Sequence, residues 1–159
     1  MKRLGLLIMT LLLAGCTPWI EQEKEVPPSL FDYEGSYVGS PMSTKNILAL
    51  LPDYGLKWKN MRLETDKEPY GIHLYYEKAE PAIAREAART YSLYLLRLIT
   101  NADIVTLHSD TTQYRYTREQ WENWLGLPLE KYTTEEQLEQ AMQMKLEEDP
   151  DREGLAESS

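Results

Sequence analysis

The stretch PAIAREAARTYSLYLLRLIT, residues 81–100, leaves this chain few folding choices. Pro81 suits a first helical position, where its missing N–H removes no bond and its φ is already helical. Behind it Ile83, Ala87, Tyr91, Tyr94, Leu95 and Leu98 recur at the spacing that lines one broad apolar face of an α-helix. A helix so apolar must be covered by other elements. The flanking segments are short and alternating, so the pattern predicts a central helix laid on a small sheet.

Before that helix, Met61–Asp66 alternates apolar and polar residues, and Glu68-Pro69-Tyr70-Gly71 supplies a turn with proline at its second position. Ile72, Leu74 and Tyr76 then point one way and His73, Tyr75 and Glu77 the other, which predicts a hairpin of 61–66 with 71–77. After the helix, Asn101 reads as a left-handed cap, and 103–108 with 113–117 form a second hairpin around 109–112. Further upstream, Ser43 caps a short helix that ends at Pro52 and turns Ile47, Leu48, Leu50 and Leu51 inward. Thr117 and Gln120 have capping-box spacing ahead of Trp121, Trp124 and Leu125, a helix closed by Gly126 and Pro128. A last helix runs from Thr133 and Thr134 to about Glu148, with Leu138, Ala141, Met142, Met144 and Lys145 toward the body. The expected fold class is α+β, in the order α-ββ-α-ββ-α plus a C-terminal helix, with about four strands in two hairpins. Two hairpin-then-helix units in succession suggest an internal pseudo-repeat.

The N-terminus gives an address. Lys2 and Arg3 precede an apolar run, Leu4–Leu13, whose helical length of about 15 Å covers half of a bilayer's roughly 30 Å core. That is the layout of an export signal, too short to stay as an anchor. Leu13-Ala14-Gly15-Cys16 resembles the bacterial lipoprotein lipobox, in which small residues admit the chain to a peptidase while the cysteine sulfur receives a diacylglyceryl group. The alternative is cleavage elsewhere, with Cys16 incidental. Residues 1–15 are therefore read as a signal peptide and Cys16, the chain's one cysteine, as the lipidated first residue of the mature protein. Two acyl chains suffice for stable attachment where one does not. Residues 16–32, rich in charge and proline, form a tether with an r.m.s. reach of about 20–25 Å. Residues 33–148 form a single domain, and 149–159 are too polar to pack and read as a disordered tail.

Without Lys2 and Arg3, 15 basic residues face 26 acidic ones, a formal charge of −11. Such a body is repelled by anionic head groups, and it lacks the clustered Lys and Arg that bind nucleic acid. The expected setting is the outer face of the bacterial cytoplasmic membrane, with the lipid anchor as membrane contact and an envelope protein as partner.

Tyr37-Val38-Gly39, the stretch NILALLP at residues 46–52, and Glu68-Pro69-Tyr70-Gly71 with the strand after it together resemble the bacterial domain of unknown function 4825. The likeness runs roughly from Tyr33 to Gly126, and its most specific feature is the PYG turn. The family occurs in exported or membrane-attached proteins of Gram-positive bacteria. Some members are fused to membrane-embedded, peptidase-like sensors, so the resemblance implies a regulatory or sensing setting. No catalytic residues are established for it, and it brings no active site to this chain.

Candidate chemistry is sparse. His73 and His108, the chain's two histidines, fall on different predicted strands outside any metal-ligand spacing and read as solvated or hydrogen-bonded strand residues; no metal or cofactor is expected. Glu64 and Asp66 would share one strand face about 7 Å apart, a separation an acid and a base could bridge through water, although alternation alone also puts polar residues there. No GxSxG elbow, HExxH helix or glycine-rich phosphate loop occurs. Aromatic side chains are the more suggestive group: with one Phe against eleven Tyr, most tyrosines must fill the core, but Tyr75, Tyr114 and Tyr116 could form an exposed ligand platform. Open sheet edges could also accept an extended peptide. A non-enzymatic interaction or sensing domain is the preferred expectation, a glycan- or peptide-binding module of the envelope the alternative. A hydrolase with distant carboxylates brought together is a third.

Overall fold

The central helix forms where its apolar spacing puts it. The computed structural model describes residues 28–110, 112–148 and 157–158, as α1 (Pro41–Leu50), β1 (Trp58–Glu64), β2 (Gly71–Tyr76), α2 (Pro81–Leu98), β3 (Ile104–Ser109), β4 (Thr112–Thr117), α3 (Arg118–Leu125), α4 (Glu135–Glu148) and β5 (Glu157–Ser158). Cys16 and the expected signal peptide, residues 1–15, lie outside these residues. None of the described helices is long and apolar enough to cross a membrane.

The strands run in sheet order β1-β2-β3-β4-β5. Both hairpins are antiparallel, and they join through a parallel pairing of β2 with β3. The sheet is therefore mixed, because α2 carries the chain over one face and returns it beside β2 in the same direction, as a strand-helix-strand crossover must. On that face Ile72, Leu74, Tyr76, Val105, Leu107, Tyr114 and Tyr116 meet the buried side of α2, and α3 with the 3₁₀ turns Leu30–Tyr33 and Leu129–Lys131 closes the rest of the core.

The turn before β2 is tied to the start of β3. Tyr70 N–H donates to Asp103 Oδ2 at 2.8 Å, and Tyr70 C=O accepts from the N–H groups of Asp103 and Ile104 at 3.0 and 3.2 Å. These bonds set the parallel register Gly71↔Ile104 from which the remaining pairs follow. The Thr117 and Gln120 capping box is formed, and Gly126 takes the left-handed cap at φ 85° that its lack of a Cβ permits.

Several local expectations change. α1 begins at Pro41, with Ser40 in the N-cap position; Ser43 is already helical and its hydroxyl bonds Ser40 Oγ. Leu50 and Ile83, expected inside, are each 39% exposed at the margins of their helices' apolar faces, and Met144 is exposed too. Asn101 is not a left-handed cap, since its side chain serves the tertiary structure by accepting the Val38 N–H at 2.9 Å. The body starts before residue 33: Leu30 is buried, and the 3₁₀ turn Leu30–Tyr33 is held through Glu34 and Phe31, which engage the buried guanidinium of Arg97. In the C-terminal segment expected to be disordered, Glu157 and Ser158 pair with Arg115 and Tyr114 and add a two-residue strand to the β4 edge.

Candidate functional site

The face of the sheet away from α2 carries the polar side chains. The register lines them up in rows across the strands: Arg62, His73, Thr106 and Arg115 in one, Asn60, Tyr75, His108 and Gln113 in the next. Parallel pairing thus brings together the chain's two histidines, 35 residues apart, and separate strand readings could not foresee it.

His73 Nδ1 and His108 Nε2 lie 3.1 Å apart. Their ring centres are 5.4 Å apart with planes 28° from parallel. The centre distance exceeds the nitrogen distance by about two ring radii, so the rings meet end-on rather than face to face. One nitrogen donates and the other accepts, and a single proton lies between them. Nitrogens aimed along one line at this separation hold no ion between them, because two metal bonds of about 2.0–2.1 Å would have to converge from the side. Among the described residues no group of three or more His, Cys, Asp or Glu is placed to hold a metal.

Each histidine has a further neighbour. Tyr75 stacks face to face on His108, with centres 4.4 Å apart and planes 8° from parallel. Glu64 Oε2 approaches His73 Nε2 at 3.2 Å, but off the N–H direction, so this is an electrostatic contact rather than a formed hydrogen bond. The other oxygen of Glu64 is engaged by Arg62. Gly71 makes room for this pair: a Cβ there would stand 3.2 Å from Glu64 Oε2 and 3.4 Å from His73 Nε2. A larger residue at position 71 would crowd this pair, and backbone strain plays no part there.

Burial, reinforced by the neighbouring His73 and Arg62, holds the His108 imidazole below its usual range. The His73 imidazole and then Arg62 hold the Glu64 carboxyl below its usual value despite some desolvation. Both shifts act in one direction on stability. An imidazole held low stays neutral in the fold while the unfolded chain takes up a proton, so His108's contribution is present above pH about 6.5 and lost as pH falls through its folded value. Glu64 adds a loss below about pH 4.5, its ordinary value. In urea unfolding at pH 7.5 and 5.5, the midpoint is expected to fall on acidification, and by less in His108→Gln; equal falls would clear His108 of the effect.

The expected tyrosine platform is not assembled. Tyr75 lies half-buried on the polar face, but Tyr114 and Tyr116 are each 2% exposed in the core. Gln113 is the β4 residue level with Tyr75 and His108, so strand alternation sends both β4 tyrosines to the helix side. Asp66 also leaves the scheme: β1 ends at Glu64 and Asp66 lies in the turn, so those carboxylates do not share a strand face.

A mixed sheet covered by helices on one face, with an end-on histidine pair on the face that none of the described helices covers, defines a small α+β domain. Within that class the chain belongs to DUF4825, a domain of unknown function, which matches residues 30–119, more than half of the sequence. No curated protein and no solved structure matches it.

Proposed function

We propose that this chain is a lipid-anchored, extracytoplasmic recognition or sensing domain, without chemical turnover, on the outer face of the bacterial cytoplasmic membrane. The observation that carries this reading is the end-on histidine pair. The imidazole nitrogens of His73 and His108 that face each other are committed to a shared proton, and Glu64 occupies the far side of His73. Groups arranged this way report protonation or the approach of a partner. The lipobox-like sequence ending at Cys16 and the charge of the body support the placement and favour an envelope protein as partner.

Two measurements test it. Cys16→Ser is expected to move nearly all of the protein from the membrane fraction to the soluble fraction or medium, with wild type remaining membrane-bound. Unchanged fractionation would remove the anchor. Hydrolysis of a wall or peptide substrate by the purified protein, lost in Glu64→Gln, would overturn the non-enzymatic reading.

One observation favours the related reading of a peptide-binding module: Trp58, 41% exposed, borders an apolar groove on the opposite side of β1 from the histidines.

A further inference from the structure

The geometry points to a docking surface on β1 for an extended acidic peptide of a protein partner, paired along the strand's outer edge and placing one apolar side chain in the adjoining groove. This rests on the recognition reading above and gives the partner its chemistry.

Three features converge there. β1 is the outermost strand, and among the described residues no strand pairs with its outer edge. Such an edge presents unpaired N–H and C=O groups to any incoming strand. Beside it lies a groove of about 570 Å³, walled by Leu48, Leu51, Leu56, Trp58, Tyr76 and Tyr91, a volume in the range of small ligand sites. Trp58 is a fixed wall, because its ring stands edge-on to Tyr76 with centres 5.4 Å apart.

Charge selects the occupant. In a chain of formal charge −9, residues 57–63 hold Lys57, Lys59 and Arg62 and no acid. Lys57 leans toward Glu77 and Arg62 toward Glu64, whereas Lys59, at the register irregularity of β1 between Trp58 and Asn60, and Lys45, on the groove wall, have no ion-pair partner among the described residues. Asp53 also lines the groove, so the partner's carboxylates belong over β1, away from the connection that carries Asp53. Lysines on an exposed edge deter indiscriminate strand pairing, and an acidic strand converts that repulsion into attraction. Alternate residues of the added strand point to opposite faces, so an apolar anchor in the groove brings its neighbours over the basic positions.

The probe is the acetylated, amidated hexapeptide EVWEVE, titrated by anisotropy into full-length lipidated protein in detergent micelles. Its controls are KVWKVK and EVWEVE with alternate backbone amides N-methylated. Binding is expected for EVWEVE, with at least about tenfold weakening for KVWKVK, for the N-methylated peptide, and for the variants Lys59→Glu and Trp58→Ala, whose folding is verified by circular dichroism. Equal binding of the basic or N-methylated peptide, or no binding of EVWEVE at millimolar concentration, would overturn the site. A photo-crosslinker at position 58 that captures the chain's own acidic aromatic segment, residues 19–23 (WIEQE), would likewise overturn a partner peptide as the occupant. Mass spectrometry of the recovered probe separates the two readings. An intact but unbound peptide sinks the docking surface alone, whereas a cleaved one sinks the non-enzymatic function.

Discussion

Replacing Trp121 by alanine is expected to destabilise the protein by about 3–5 kcal/mol, the range for a large aromatic deleted from a core. Trp121 is fully buried, stacks on Tyr116 with centres 5.7 Å apart, and meets Trp124 edge-on at 5.5 Å. Its indole N–H donates to Ser92 Oγ at 3.1 Å, and Ser92 is itself buried in α2. The indole therefore fastens α3 to both the sheet and the central helix. Alanine leaves a cavity between three elements that cannot all collapse into it, and it removes the donor to a buried hydroxyl that keeps its own bond to Arg89 C=O. For a domain whose total stability is about 5–15 kcal/mol, the loss is about a fifth or more. Urea unfolding followed by far-ultraviolet circular dichroism measures it; a change below about 1 kcal/mol would mean that α3 contributes little to the core. Trp121→Phe keeps most of the packing and should fall between the two.

Arg118→Ala is expected to cost about 3 kcal/mol through a different mechanism. The last carbonyls of a helix have no partner within it. Arg118 reaches back from the start of α3 to the end of α2, where one Nη donates to Leu96 O, Ile99 O and Thr100 O, while Nε donates to Ala102 O at 3.0 Å. A guanidinium so placed also complements the negative end of the α2 dipole. Removing it leaves several carbonyls short of donors near the point where α2 hands the chain to β3. Thermal unfolding should shift down by roughly 10 °C for a loss of this size. Lys at position 118 keeps the charge but not the fork, and it should recover less than half of the loss. Full recovery by Lys would assign the effect to charge alone.

Much of the secondary structure was legible because its signals are local. The spacing along α2, the Thr117 and Gln120 box, Gly126, and the alternation of 71–77 each act within a turn or two of chain. Where local signals misled, a distant group had taken the residue: Asn101 reads as a cap by type, yet its carbonyl serves Val38 across 63 residues. Ser43 reads as an N-cap, yet Pro41 and Ser40 start the helix earlier. The tyrosines of β4 could be placed on a strand from sequence, but their face depends on which neighbour β3 pairs with and in what register.

The sequence by itself determined the class of fold, the order of its elements, the PYG turn and the family, because propensity, capping and turn chemistry are written in adjacent residues. Tertiary structure alone decided the parallel joining of β2 to β3, the meeting of His73 with His108 beside Glu64, and the burial of Tyr114 and Tyr116. The physical reason is parity: a strand shows a different face to solvent if its register moves by one residue, and that register is fixed here by Tyr70 and Asp103, bonded across a whole helix.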